Sequence, residues 1–297
     1  MGIHSLLTTI GNTPLIRLQR SSPNPGVKIW AKLELANPSG SLKDRIALYM
    51  IEAAEARGEL EPGMTIVEAT SGNTGIALGM VAAVKGYGLK LFMLENKTIE
   101  RRKMLRYWGS DLVLTTKDDP DSHIFSAQRL VADQPGDFFY INQNENSDNI
   151  EAHKGTAAEV TRDLGDEVSA FVAGFGTGGT LMGAAHHFRD QGLDVRIVAV
   201  EPGGQPRAKI DGLKHSSEAY QPLIYDRSLI HETVEVPEDA AYRTTREIAR
   251  REGIIAGLSS GASLWAAQQL AATMDSGNIV VILGDRGERY FSTRLFD

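Results

Sequence analysis

The sequence predicts an α/β protein of two domains built on twisted sheets flanked by helices. Two observations carry that reading. Short apolar runs rich in Val, Ile, Leu and Phe alternate with helix-patterned segments almost throughout the 297 residues, as expected for parallel sheets covered on both faces. The length suits one or two domains with a sizeable shared core. Hydrophobic residues at 42% and charged residues at 23% are ordinary for a soluble globular chain.

Taken in order, residues 28–35 read as a strand and 42–57 as a helix with apolar residues at helical spacing. A short strand at 65–68 precedes a helix at 74–85, whose small side chains suit close packing on a sheet. Strand 89–93, helix 100–108 and strand 112–115 follow. The alternation resumes with strand 170–173, helix 183–189, strand 196–201, helices 240–252 and 262–274, and strand 279–283. No repeat, low-complexity tract or linker marks a boundary.

Composition excludes several classes. With 31 basic and 38 acidic side chains the net charge is -7, which argues against nonspecific nucleic-acid binding. Cysteine is absent, which removes disulfides and thiolate metal sites. His186-His187 has no neighbouring ligands at metal spacing, so no metal is expected. Glu100-Arg101-Arg102-Lys103 reads as a solvated helix face. The opening MGIHSLLTTIGN lacks the basic and apolar regions of a signal peptide, and Leu6 breaks the myristoylation pattern. No apolar run reaches the roughly 18 residues that cross a bilayer. A soluble, cytoplasmic protein is expected.

Three loops carry candidate chemistry. In Asn37-Pro38-Ser39-Gly40-Ser41-Leu42-Lys43-Asp44-Arg45, Ser41 suits an N-cap with Asp44 three residues on. Lys43 then falls in a first helical turn, where dipole and burial both disfavour an ammonium and free an amine for attack on an aldehyde. A solvated surface lysine is the alternative on this loop alone. In Glu68-Ala69-Thr70-Ser71-Gly72-Asn73-Thr74-Gly75, backbone N–H groups and hydroxyls at a helix start form an anion site. A substrate carboxylate held by Thr70, Ser71 and Thr74 fits it, and so does an ordinary Ser/Thr cap. Asn73 could donate to an oxygen on an aromatic cofactor.

The third loop, Gly174-Phe175-Gly176-Thr177-Gly178-Gly179-Thr180, follows an apolar strand and suits a phosphate cradle. Gly174, Gly176 and Gly179 also match the dinucleotide fingerprint, with Glu201 near the position of a ribose-binding acid. A nicotinamide enzyme needs neither Lys43 in its setting nor a second anion loop. A phosphate-bearing aldehyde cofactor needs all three loops.

Together these loops resemble the fold-type II, or tryptophan-synthase β-like, pyridoxal-phosphate enzymes, and within them the cysteine synthases (O-acetylserine sulfhydrylases). Thr9-Ile10-Gly11-Asn12-Thr13-Pro14-Leu15 is like the opening signature. NPSGSLKDR, EATSGNTG and GFGTGGT are similar to the lysine, substrate-carboxylate and phosphate motifs. Glu252-Gly253-Ile254 with Gly257-Leu258-Ser259-Ser260-Gly261-Ala262 matches the segment that meets the pyridine nitrogen. Gly287-Glu288-Arg289-Tyr290-Phe291-Ser292-Thr293 resembles the closing signature.

The resemblance implies a Schiff base of pyridoxal 5'-phosphate on Lys43, which also moves the substrate α-proton. It implies phosphate contacts at Gly176, Thr177, Gly178, Gly179 and Thr180, the phenolic oxygen at Asn73, and the ring nitrogen at Ser259. The substrate carboxylate falls to Thr70, Ser71, Thr74 and Gln143. A neutral serine at the ring nitrogen gives a weaker electron sink than an aspartate, which suits β-elimination with a good leaving group. A helix-cap role before 262–274 is the alternative for Ser259.

The implied reaction converts O-acetyl-L-serine and sulfide, or another small sulfur nucleophile, to L-cysteine and acetate through an aminoacrylate. The implied fold places the active site in an interdomain cleft. A smaller domain would span 41–145, and the larger 1–40 plus 146–297. A homodimer is the family habit.

The sequence departs from the family pattern over 143–159, where the usual QFxNPxN and His-Tyr-TGPE stretches read QNENSDN and His153-Lys154-Gly155-Thr156-Ala157-Ala158-Glu159. Gly284-Asp285-Arg286 is closer to the B-type isozymes and puts the Asp285 carboxylate near the ring-nitrogen pocket. A cap or an ion pair with Arg286 is its alternative. Lys214 aligns with a basic residue of phosphoserine-using members, or is simply solvated. Rivals sharing the cofactor are O-phosphoserine sulfhydrylase, cyanoalanine synthase, cystathionine β-synthase and serine or threonine dehydratase. From other classes stand an NAD-dependent oxidoreductase and a non-catalytic interaction protein.

Overall fold

The alternation of apolar runs and helices resolves into two sheets, one in each of two compact units. The computed structural model describes residues 5–70, 72–96, 99–119, 121–204, 206–218 and 221–297. In chain order the elements are β1 (Leu15–Arg17), β2 (Val27–Leu33), α1 (Lys43–Arg57), β3 (Thr65–Ala69), α2 (Asn73–Lys85), β4 (Gly88–Leu94), α3 (Ile99–Tyr107), β5 (Asp111–Thr115) and α4 (Ser122–Asp133). They continue with β6 (Phe138–Tyr140), α5 (Asp148–Leu164), β7 (Val168–Gly174), α6 (Gly179–Asp190), β8 (Arg196–Pro202), β9 (Glu232–Val236), α7 (Glu238–Glu252), α8 (Leu258–Thr273) and β10 (Gly277–Leu283).

One unit comprises Met1–Ile10 and Lys43–Asn149, the other Gly11–Leu42 and Ile150–Asp297. The 3₁₀ turn Leu6–Thr9 falls in the smaller unit, where it packs on α2.

The smaller unit carries a sheet ordered β5-β4-β3-β6, with every pair parallel. Helix α4 packs on β3, β4 and β6, and α1 packs on α2. The small residues of α2 permit close approach, and the whole stretch from Thr74 to Ala82 is buried.

The larger unit carries a sheet ordered β1-β2-β10-β7-β8-β9. Only its edge pair β1–β2 is antiparallel. Successive residues of β10 alternate between two cores. Ile279 and Val281 join Ala262 and Ala266 of α8, while Val280 and Ile282 join Leu181 and Phe188 of α6. Burial of both faces explains why these strands read as unbroken apolar runs.

Five elements were not foreseen. Helix α5 occupies the stretch that departs from the family pattern, and α4 and β6 precede it. Strands β1 and β9 lie at the edges of the larger sheet, where a strand needs only half the apolar signal. Among the described residues, no helix is long and apolar enough to cross a membrane.

Candidate active site

In open parallel sheets, ligands bind beyond the carboxyl ends of the strands, where successive connections leave for opposite sides. Each unit has one such point. In the smaller, β3 passes through α2 to β4 on one side, and β6 flanks it on the other. The loop after β3 and the residues after β6 therefore open together.

That crevice holds Thr70, Asn73, Thr74 and Gln143. Ser71 lies outside the described residues. The Thr70 N–H donates to the Phe92 carbonyl at 2.9 Å, and Thr70 Oγ1 accepts the Gly72 N–H at 3.3 Å. Thr74 Oγ1 donates to Gln143 Oε1 at 2.7 Å, joining the β3 loop to the segment after β6. Asn149 Nδ2 holds the Gln143 carbonyl at 2.8 Å. Asn73 is the first residue of α2, whose N-cap is Gly72. The first-turn N–H groups thus face the crevice with no capping side chain from Gly72, the arrangement that binds a carboxylate.

Beneath this loop Glu68 is fully buried. Burial pushes its carboxyl up to about 8, against the pull of the N–H groups of Gln143, Ala69 and Asn142 and of the Gln143 amide. Glu68 has no role assigned by the EATSGNTG motif itself. A lone carboxylate inside the otherwise apolar strand Thr65–Ala69 was the signal available.

In the larger unit the switch lies between β7, which leads through α6 to β8, and β10 on its other side. Loop 174–180 follows β7. A Cβ on Gly176 would come within 2.8 Å of the Gly212 carbonyl oxygen. Gly178 has φ +85°, and a Cβ there would meet the Tyr225 ring at 2.8 Å. Both positions need glycine, and Gly178 caps α6 without a side chain. Thr177 Oγ1 accepts the Gly179 N–H at 3.4 Å. Thr180 Oγ1 lies 3.2 Å from Nε2 of the buried His153. Phe175 and Tyr225 stack at 4.3 Å beneath the loop. Backbone donors, two hydroxyls and a helix start make a cradle shaped for a phosphate. Lys214 is placed beside it, because its N–H donates to the Phe175 carbonyl at 2.7 Å.

The lysine loop follows β2 and is stapled to the loop after β10. Leu42 N–H donates to the Gly284 carbonyl at 2.9 Å, and Arg286 N–H to the Gly40 carbonyl at 3.2 Å. Ser41 and Asp285 form an isolated bridge, and the Arg289 guanidinium donates to the Ser39 carbonyl. Asn37, which opens the loop, accepts the Gly11 N–H at 2.9 Å and donates to Glu34 Oε2 at 2.9 Å. Lys43 follows Leu42 directly and is the first residue of α1, half-buried.

Ser259 is the second residue of α8, and the N-cap is Gly257. The cap role considered for Ser259 is thereby corrected. Its neighbour Ser260 does the structural work, with Oγ accepting the Gly284 N–H at 3.0 Å. Ser259 Oγ lies 3.9 Å from where a Cβ on Gly284 would sit, at the mouth of β10. Asp285 is buried and accepts the Tyr290 hydroxyl at 2.7 Å. Arg286, considered as its ion-pair partner, sends Nε to the Leu35 carbonyl at 3.0 Å.

The dinucleotide alternative fails on Glu201. Its side chain is 1% exposed, and Oε2 already accepts the Ser216 N–H at 2.9 Å and the Ser216 hydroxyl at 3.0 Å. An acid so engaged is not presented to a ribose. No group of ligands suited to a metal occurs among the described residues.

Residues 6–285 match the family described as pyridoxal-phosphate dependent enzyme. The chain belongs to that family. Its cofactor is pyridoxal phosphate, and the Gly176–Thr180 cradle fits the phosphate of that group. Among these pyridoxal-phosphate enzymes, the chain is similar to cysteine synthase B of Salmonella typhimurium, 42% identical over 99% of this chain and 96% of that protein. Cysteine synthase B of Escherichia coli is 42% identical over 98% and 96%. A solved O-ureido-L-serine synthase superposes with a TM-score of 0.93 at 39% identity, covering 100% of this chain and 96% of that one. The cysteine synthase of Entamoeba histolytica gives 0.93 at 34% identity, covering 100% and 91%.

Proposed function

We propose that this chain is a cysteine synthase, a transferase of cysteine biosynthesis that replaces the acetyl ester of O-acetyl-L-serine with sulfide. The observation that carries the reading is the joint presence of Lys43 on a stapled loop, a carboxylate crevice and a phosphate cradle. Relatives bearing the cysteine synthase name match over nearly the whole chain.

Pyridoxal phosphate, when bound, supplies an electron sink that lowers the cost of removing an α-proton. The chain's own residues do the rest. Gly176 to Thr180 would hold the phosphate through backbone N–H groups and hydroxyls, and Asn73 would donate to the phenolic oxygen. Ser259 would present a neutral hydroxyl to the ring nitrogen, with Asp285 as a nearby carboxylate. Thr70, Ser71, Thr74 and Gln143 fix the substrate carboxylate and so align the α C–H bond for transfer. Lys43 Nζ takes the α-proton and later returns it. Acetate leaves with the C–O bonding pair, and a C–S bond to sulfide forms at the same carbon, giving L-cysteine. A cytoplasmic homodimer completes the reading, and light scattering of the purified protein tests the dimer.

Purified protein should be yellow, and borohydride should fix the cofactor on a peptide containing Lys43. Supplied with O-acetyl-L-serine and sulfide it should release cysteine and acetate in equal amounts. Cofactor-loaded protein that makes no cysteine from either O-acetyl-L-serine or O-phospho-L-serine would sink the reading.

The likeness to an O-ureido-L-serine synthase favours one second reading. There the nucleophile would be the hydroxyl oxygen of hydroxyurea in place of sulfide. Competition of the two nucleophiles for one O-acetyl-L-serine pool decides between them by product.

A further inference from the structure

The backbone pairing of β3 with β6 stops short of the carboxylate crevice. The last paired residues are Val67 and Tyr140, followed by one further bond from Ile141 N–H to the Val67 carbonyl at 3.0 Å. Beyond it the ladder between the two segments ends, at the level of the crevice. No backbone ladder then fixes the distance between the β3 loop, with Thr70 and Thr74, and Gln143.

The Glu68 side chain occupies that gap. Its Oε1 accepts the Ala69 N–H at 3.0 Å, and its Oε2 accepts the Gln143 N–H at 3.3 Å. These two bonds tie the carboxyl to both segments. With its backbone N–H held by Glu68, Gln143 accepts the Thr74 hydroxyl at Oε1 at 2.7 Å. One carboxyl therefore spans both walls and orients the glutamine between them. Ile66, Val67 and Ala69 are apolar, and Thr65 stands at the other end of the strand, opposite Phe138.

We propose that Glu68 is a positioning residue for the amino-acid substrate: its carboxyl replaces the missing β3–β6 ladder and sets Gln143 against Thr74 in the geometry that grips the substrate carboxylate. The proposal rests on the carboxylate-crevice reading above. Glu68 acts through Gln143 and Thr74, and it serves the amino acid and not the cofactor phosphate.

Holoenzymes of the parent, Glu68→Gln, Glu68→Ala and Thr74→Ala are compared in O-acetyl-L-serine and sulfide kinetics, with cofactor absorbance per chain. Glu68→Ala should raise KM for O-acetyl-L-serine about tenfold, and Glu68→Gln, which keeps the size and one acceptor, should raise it less. Turnover at saturation should stay within about twofold, and cofactor occupancy should not change. Unchanged KM in both Glu68 variants beside a raised KM in Thr74→Ala overturns the proposal. So does a joint loss of KM, turnover and cofactor in Glu68→Gln, which marks a scaffold role. If Glu68→Ala does not fold, Glu68→Gln alone decides. Unchanged KM in Thr74→Ala overturns the crevice reading itself, and the proposal with it.

Discussion

The two anion loops of this enzyme look alike in sequence and are held in different ways. Each follows a parallel strand, carries glycines and threonines, and opens a helix. The phosphate loop is wedged from below by packing: Phe175 stacks on Tyr225, Gly176 lies against Gly212, and Gly178 against the Tyr225 ring. The carboxylate loop is instead held by a chain of hydrogen bonds through Glu68, Gln143 and Thr74. Packed contacts resist any change of shape, which suits a resident cofactor. Polar contacts can be exchanged for those of a substrate that arrives and leaves in each turnover.

The sharpest break of this contrast is at Gly178. A valine there meets both the positive φ and the Tyr225 ring, so Gly178→Val should weaken pyridoxal phosphate binding by about 100-fold. Cofactor absorbance of dialysed protein titrated with pyridoxal phosphate measures it. Full retention with impaired amino-acid binding would exchange the roles of the two loops.

The second effect is on stability. Burial lifts the Glu68 carboxyl from 4.5 to about 8, so the folded state holds its proton more tightly than the unfolded chain does. Its contribution is fully present below pH 4.5 and is lost as pH rises towards 8, about 2 kcal/mol between pH 5 and 7. Glu68→Gln removes this titration. Denaturant unfolding across that range should show the parent losing stability relative to Glu68→Gln, and parallel curves would contradict the shift.

Next comes Thr74→Ala, which on the proposed reading of the crevice removes a hydrogen bond to the substrate carboxylate, worth about 1.5–3 kcal/mol. KM for O-acetyl-L-serine should rise with cofactor occupancy unchanged. The smallest effect concerns Lys214, held beside the phosphate loop through Phe175. Lys214→Ala should lower kcat/KM for O-phospho-L-serine about fivefold through loss of a screened ammonium, and spare O-acetyl-L-serine. Equal loss on both donors would remove Lys214 from leaving-group recognition.

The framework of the two loops was legible in the sequence, although the contrast between them was not. The strands and helices bearing the three loops lie within a few residues of where periodicity put them, because fully buried parallel strands and their covering helices carry a strong apolar signal. Helix α5 was missed although Ile150, His153, Ala157, Val160 and Leu164 fall on one face. Its polar start and Gly155 read as a disrupted motif. Strand β6 spans only Phe138–Tyr140, too short for any periodicity to register.

The sequence by itself determined the alternation, the glycine-rich loop before α6, and Lys43 with its family. These are local choices, each written in neighbouring residues. Tertiary structure alone decided which strands flank each switch point, that Glu201 is spent on Ser216, and that Ser260 and not Ser259 secures the β10 loop. It also decided the place of Glu68, whose partner Gln143 stands 75 residues away. A buried carboxylate reveals its purpose only through the N–H groups that surround it, and folding brings those together from distant parts of the chain.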